Sequence, residues 1–355
     1  EEFSNELTDK MSKLGLLKIT IDPKYGGLGL DYLSYIIIIE ELSKVDSSQA
    51  ATIAAHNSLG IEPIYTFGTD AQKQKYLYDL CNTGGLWAFA LTESSSGSDA
   101  QNINTTAKYN PNTKEWIING SKTWITNASC KLTKGITILA KTGLRSDNKP
   151  RLSCFLVPAN TPGLITREIK GKMMWRATNT AELFFEDLRL KEDAILGEEG
   201  NGFKIMMKTL DKGRLAIAAM GLGLAKGAFN LSLKYARERI AFQKPIIQHQ
   251  AIAFKIAEMA TQIESAEALL YKACNALISN QPFEQLSAMA KLYCAQVAEF
   301  CAKESQQIFG AYGLHKDYAV ERHFRDAALL RIGEGTNEIQ KIVISRYLEQ
   351  SNGFE

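Results

Sequence analysis

The second half of the chain restricts the fold most. From about residue 198 it reads "GFKIMMKTLDKGRLAIAAMGLGLAKGAFNLSLKYARERIAF", then "HQAIAFKIAEMATQIESAEALLYKACNALIS", then "FEQLSAMAKLYCAQVAEFCAKESQQIFG". Each stretch exceeds 25 residues and is rich in Ala, with apolar side chains at helical spacing. Helices of that length bury their apolar stripes by packing together around a seam of small residues, which predicts a four-helix bundle. Gly221, Gly223 and Gly227 resemble a dinucleotide fingerprint, but no strand precedes them and the spacing differs. Close helix packing is the expected use of those glycines.

The preceding region obeys a different grammar. "LWAFALTE", "NTTAKYN", "EWIINGSKTWITNA", "GITILAKTG", "LSCFLVPAN", "LITREI" and "AELFFEDLRL" are short, β-branched and aromatic, and turn residues such as "NPNTK" and "RSDNKP" separate them. They predict a small all-β domain, a barrel or sandwich. Before it, "NELTDKMSKLGLLKI", "YLSYIIIIEELSKV" and "DAQKQKYLYDLC" have helical spacing, with "DPKYGGLGLD" as a Gly-rich connector. The expected architecture is mostly α with a middle β domain: helices over 1–86, strands over 87–197, a helical bundle over 198–355.

Composition removes several classes of function. With 41 Lys and Arg against 39 Asp and Glu, no global field recruits nucleic acid or anionic lipid. The six cysteines lie far apart with no CxxC, as reduced, mostly buried thiols do. The four histidines show neither HExxH nor HxH, so no protein metal site is expected. No apolar run approaches the ~20 residues of a membrane span, and the opening "EEFSNELTDK" is acidic. A soluble intracellular protein is the expectation.

Four stretches break their local rules. "ALTESSSGSDA" ends a strand in hydroxyls, glycine and acids, and reads either as a ligand cradle or as a solvated loop. "KTWITNA" sets Trp124 and Thr126 on one strand face, to stack on a planar heterocycle or simply to pack a core. "YARERIAFQKP" ends a helix in Arg237 and Arg239, which either cap carbonyls or bind a phosphate. In "RIGEGTNEIQ", Glu334 stands between two glycines just before a helix, at a surface turn or at a carboxylate aimed into a pocket; Arg214 of "LDKGRLA" is its possible partner.

Together these stretches resemble the acyl-CoA dehydrogenase family, in particular its short-chain, butyryl-CoA-type members. "FALTESSSGSDA", "INGSKTWITNA", "LDKGR", "YARERIAFQKPI", "QIFGAYG", "RHFRDA" and "EGTNEIQ" fall in the family's order and approximate spacing over nearly the whole chain. The resemblance implies an N-terminal α domain, a middle β domain and a C-terminal four-helix bundle, with FAD between the last two. It also implies a homotetramer built as a dimer of dimers, electron-transfer flavoprotein as the acceptor, and a location in the bacterial cytoplasm or the mitochondrial matrix.

Carried over residue by residue, the resemblance assigns Phe89, Leu91, Thr92 and Ser98 to the flavin, with Ser98 also touching acyl-CoA. Trp124, Ile125 and Thr126 would cover the ring. Arg239, Phe242, His249 and Gln250, with Gln307, Ile308, Gly310 and Ala311, would hold the dinucleotide, some from a neighbouring subunit. Thr336 and Glu338 would close over the cofactor, while Asp211, Arg214 and Gly335 would contact the substrate. Three departures stand out: extra serines replace the usual Pro-Gly in "TESSSGSD", Gln243 and Ala311 replace glycines, and Gly333 replaces a common Tyr.

The implied reaction needs a base on one side of an acyl chain and a hydride acceptor on the other. One branch of the family carries its base directly before the Arg of "GR", which here is Gly213 and has no carboxylate. Glu334 is the remaining candidate for α-proton removal from a short- to medium-chain acyl-CoA, with FAD N5 taking the β-hydride. A dehydrogenase or oxidase for another acyl thioester, branched or carrier-protein-bound, and a non-catalytic acyl-CoA-binding flavoprotein are the alternatives.

Overall fold

A computed structural model describes residues 2–349. They form two compact units, one from the chain up to Leu30 with Thr52–Lys172 and Arg176–Leu210, the other from Asp31–Ala51, Met173–Trp175 and the chain from Asp211 onward.

In the first unit the strand-rich region yields β1 (Leu86–Ala90), β2 (Thr106–Asn110), β3 (Glu115–Thr126), β4 (Thr133–Leu144), β5 (Pro150–Pro158), β6 (Leu164–Glu168), β7 (Thr180–Lys191) and β8 (Ile195–Leu196). They join one eight-stranded sheet in the order β6-β7-β3-β2-β4-β5-β8, with β1 parallel on β4. Burial explains the two kinds of strand. β5 buries six residues in succession because both its faces are covered. Phe155 and Val157 pack with Ile136, Ile138, Leu183 and Phe185 on one side. Cys154 and Leu156 pack with Ile61, Ile64, Leu77 and Leu80 of the helical segments on the other.

The helix expected over "NELTDKMSKLGLLKI" stops early, at Lys13. Gly15 adopts φ +82°, and the Leu16 N–H reaches back to the Met11 carbonyl, so the chain leaves the helix through a left-handed terminus. Apolar spacing alone does not see that stop.

The second unit holds the bundle. The helices Gln250–Ile278 and Glu284–Phe309 pack together, and Val320–Leu330 and Asn337–Glu349 pack on the latter. The helix Gly202–Glu238 spans 37 residues, of which those from Asp211 belong to this unit. Its glycines are packing devices. A Cβ added at Gly223 or Gly227 would lie 2.2 Å from the Glu40 or Lys44 carbonyl oxygen, and one at Gly221 would lie 2.8 Å from that of Cys294. Helix Tyr32–Val45 is thus pressed directly against this glycine stripe. Where the helices meet, buried Glu40 accepts from Lys226 Nζ at 2.7 Å and Tyr271 Oη at 2.8 Å.

Among the described residues this helix is, by length and composition, long and apolar enough to cross a membrane, with a mean hydropathy of 1.3 over its best window. Of that window 78% is buried, so its apolar residues serve as bundle core. Among the described residues the cysteines are free thiols, five of them buried, and no cluster of metal-ligating side chains occurs.

Candidate active site

Glu334 lies in the turn that joins helix Val320–Leu330 to helix Asn337–Glu349. Its own φ is +52° and that of Gly335 is +89°, two successive left-handed residues. Only the second is glycine; a glutamate in this region stores strain of about 1 kcal/mol, which the surroundings must hold in place. Gly333 differs. Its backbone is not left-handed, and the atoms nearest to an added Cβ would be those of Leu329, at an ordinary van der Waals distance of 3.6 Å, so neither backbone conformation nor a clash requires a glycine here.

Three groups hold the turn. Gln340 Nε2 donates to the Gly335 carbonyl at 2.9 Å and to that of Glu334 at 3.4 Å. Lys291 Nζ donates to the same Gly335 carbonyl at 2.7 Å and to Asn337 Oδ1 at 3.4 Å. Thr336 caps the following helix through Oγ1, which accepts from the Ile339 N–H at 3.2 Å.

The Glu334 residue is half-buried as a whole, but its Oε2 is shielded from solvent and has no hydrogen-bond partner among the described residues. Burial pushes its carboxyl up to about 7, against the pull of the Lys291 and Arg214 charges. Arg214, the expected partner, contributes its field, while its guanidinium binds Asp211 at 2.5 Å. Arg214 Nε and Gln340 Oε1 are likewise buried and unmet among the described residues. Unmet donors and acceptors beside an unmet carboxyl suit a polar ligand such as a thioester.

Lys291 has no counterpart among the residues singled out from sequence. Yet "EQLSAMAKLYCAQVAEF" carried the signal: Ser287, Lys291, Cys294 and Ala298 follow one another at helical core spacing, and all are buried. A lysine in that register is placed for a buried task.

The first unit carries the residues expected around the flavin ring. Lys122 and Ile125 both point inward although three residues apart, so one residue is extra and β3 bulges there against β7. At the bulge Trp124 takes φ +62° and is 57% exposed, which removes the core reading. Thr126 is half-buried, whereas Ile125 packs in the apolar core, leaving only its backbone to face a ligand.

The "TESSSGSD" loop is pinned from beneath by a pair that sequence reasoning missed. Lys122 and Glu93 meet at 2.9 Å with almost no exposure. Glu93 also accepts from the N–H groups of Asn104 and Thr105, at 2.6 and 3.0 Å. Burial opposes the charge on Glu93, but the Lys122 charge and these donors outweigh it and hold its pKa below the usual value. The loop is therefore a built structure, with Thr92 half-buried, its carbonyl accepting from Thr123 N–H, and Ser98 exposed. Phe89 and Leu91 are half-buried beside it.

In the second unit Arg239 follows the last turn of its helix, with its guanidinium 6.0 Å from the Tyr312 ring. A two-residue hairpin turn comes next, with Phe242 at φ +50° and Gln243 at φ +65°, and it leaves Phe242 90% exposed. Such turns favour glycine and asparagine, so Gln243 bears strain here. His249 braces the hairpin through Nε2 and the Ala241 carbonyl at 3.1 Å, just ahead of Gln250 at the helix start. Gln307 and the buried Ile308 end helix Glu284–Phe309; Gly310 leaves it at φ +61°, and Ala311 continues into a short 3-10 turn. The buried side chain of Ile308 likewise leaves only backbone for a cofactor. Glu338 is exposed in the first turn of the last helix. Exposed aromatic and cationic groups on strained, well-anchored turns fit a large heterocyclic dinucleotide.

Three family domains match this chain in order: acyl-CoA dehydrogenase N-terminal domain over residues 1–83, middle domain over 88–188 and C-terminal domain over 200–349. The chain belongs to the acyl-CoA dehydrogenase family. It is 43% identical over 347 residues to the probable acyl-CoA dehydrogenase YngJ of Bacillus subtilis, covering 98% of this chain and 90% of that one. Its fold matches butyryl-CoA dehydrogenase from Megasphaera elsdenii with a TM-score of 0.94 at 40% identity, covering 98% and 91% of the two chains. A chain in the structure described as the electron transferring flavoprotein of Acidaminococcus fermentans matches with a TM-score of 0.94 at 42% identity, covering 98% and 90%. Enzymes of this family use FAD, and the protein is an FAD-dependent acyl-CoA dehydrogenase.

Proposed function

We propose that Glu334 removes the α-proton of a short- to medium-chain acyl-CoA, giving the trans-2-enoyl-CoA. The observation that carries this reading is the buried, unmet Glu334 Oε2 on a carboxyl pushed up to about 7. A base works best when its pKa lies near the operating pH, where it is both ionised and strong enough to take a weakly acidic proton. Bound FAD supplies the acceptor for the hydride that leaves the β-carbon. Arg214, held by Asp211, and the Gly335 turn are the groups we assign to the thioester end of the substrate, and the Glu334 backbone N–H to its carbonyl oxygen. Trp124 and Thr126 are assigned to the flavin ring, Thr92 and Ser98 to its polar edge, and Arg239, Phe242, His249, Gln250 and the Gln307–Ala311 segment to the dinucleotide. The exposure of Phe242 supports sharing of that cofactor with a second copy, in a dimer of dimers. The short-chain preference and electron-transfer flavoprotein as acceptor are supported by the likenesses in name and fold reported above.

The test is anaerobic mixing of FAD-loaded protein with butyryl-CoA. The wild type should bleach and recover its colour faster with electron-transfer flavoprotein than with oxygen. Glu334→Gln, which keeps shape and removes the proton acceptor, should bind acyl-CoA yet bleach several orders of magnitude more slowly. Near-normal bleaching by that variant overturns the assignment of the base.

A further inference from the structure

We propose that Lys291 is a positioning residue for this reaction: from the middle of helix Glu284–Phe309 its ammonium clamps the Gly335 carbonyl, so that the Glu334 turn keeps its left-handed form, and it supplies the positive charge against which the Glu334 carboxylate forms. This deepens the assignment of Glu334 as base and rests on it.

The geometry carries the argument. Lys291 is fully buried among Ser287, Ala288, Cys294 and Ala295 of its own helix, where an ammonium is costly to hold. A methionine of similar length would fill the same space without that cost, so stability alone does not account for a lysine here. Its donors go to the turn and not to the bundle, at 2.7 Å to the Gly335 carbonyl and 3.4 Å to Asn337 Oδ1. The only other side chain holding that carbonyl among the described hydrogen bonds is Gln340, which is neutral.

The electrostatics agree in both directions. Burial pulls Lys291 down to about 8, and the Glu334 and Glu338 charges oppose that while Arg214 adds to it. The Lys291 and Arg214 charges in turn restrain the rise of Glu334. The charged groups acting on this pair are therefore Arg214 with its partner Asp211 on helix Gly202–Glu238, Glu338 on helix Asn337–Glu349, and the pair itself. Above neutrality the carboxylate form of Glu334 prevails beside Lys291, ready to accept a proton before substrate arrives. Lys291 takes no proton from the substrate; it acts through Glu334.

Lys291→Met and Lys291→Arg separate the clamp and its charge from simple packing. The Glu334 carboxyl is titrated by carbon NMR, assigned with Glu334→Gln, beside the pH profile of flavin reduction by butyryl-CoA. In Lys291→Met the Glu334 pKa should rise by about one unit or more, with the acid limb of kcat/KM moving up by the same amount. Affinity for 2,2-dimethylpropanoyl-CoA, which has no α-proton, should stay within about threefold, while kcat falls about tenfold or more from the loosened turn. Lys291→Arg should restore most of the titration. Coupling is reciprocal, so Glu334→Gln should lower the Lys291 pKa, read by NMR of labelled lysine in a conservatively altered protein. Unmoved titrations in both directions overturn the proposal, whether or not Glu334→Gln abolishes bleaching. If Glu334→Gln bleaches normally while the two titrations are coupled, the base assignment is what has failed.

Discussion

The Lys291 ammonium donates to the Gly335 carbonyl at 2.7 Å, one residue beyond the Glu334 carboxyl. A cation without solvent exposure thus anchors the backbone beside a carboxyl that burial has pushed up to about 7. The sign of the resulting pH dependence is fixed. In the proposed role Glu334 takes a proton only when deprotonated, and its raised value keeps the protonated form abundant up to neutrality. For flavin reduction by butyryl-CoA, kcat/KM should fall about tenfold per unit as pH drops below about 7, and level off above it. Because Lys291 is pulled down to about 8, the inflection belongs to the pair rather than to either residue. Rapid-mixing rates across the range check this, and a profile flat from about pH 5 to about pH 9 contradicts it.

Arg239 should matter to cofactor retention rather than to the chemical step. A guanidinium at the end of a long helix, beside the exposed Phe242 hairpin, suits a pyrophosphate through paired donors. Arg239→Ala should lower the flavin-to-protein absorbance ratio after gel filtration, while bleaching of the molecules that keep FAD stays near normal. An unchanged ratio returns Arg239 to ordinary capping of its helix.

Much of this molecule is legible in the sequence, for identifiable reasons. The three long helices and the strands β1 to β7 announce themselves because burial on one face or two imposes a period on the side chains. The glycine stripe was readable as packing because no strand led into it. Events set by backbone geometry were not legible. Gly15 ends a helix through a left-handed residue inside an unbroken apolar pattern, and the β3 bulge that lifts Trp124 out of the core depends on pairing with β7. Buried charges were missed for a related reason: Lys291, Lys122 and Glu93 acquire their roles only from partners distant in sequence. Arg214 is legible as a possible partner for Glu334 and acts on it through its charge, while its guanidinium bonds Asp211 on the same helix.

Gly223 offers a test of the bundle independent of the chemistry. A Cβ there would stand 2.2 Å from the Glu40 carbonyl oxygen, which is helix backbone and cannot swing aside. Gly223→Ala should therefore force the helices apart and destabilise the protein by about 3 kcal/mol. The control is Gly333→Ala, where the nearest atoms to the new Cβ are those of Leu329 at an ordinary 3.6 Å and stability should change by less than about 1 kcal/mol. Denaturant midpoints compare the two, and equal effects would mean that close packing along the glycine stripe does not limit stability.

The tolerance for a side chain at Gly333 bears on the substrate. Where the resemblance implies a common tyrosine before the proposed base, Gly333 puts no side chain beside Glu334, on a backbone that accepts one at that position. A wall removed from an acyl pocket widens tolerance gently, because one methylene is worth only ~1–3 kcal/mol of discrimination. Butyryl-CoA should be a good substrate, with activity extending to hexanoyl- or octanoyl-CoA and some acceptance of isobutyryl-CoA. Gly333→Tyr should restore the wall and cut kcat/KM for octanoyl-CoA about tenfold or more while sparing butyryl-CoA. Comparing kcat/KM across straight chains and isobutyryl-CoA for both proteins decides the matter. A maximum at twelve carbons or beyond refutes the short-chain preference, and an unchanged profile in Gly333→Tyr shows that the space beside Glu334 is not where the acyl chain lies.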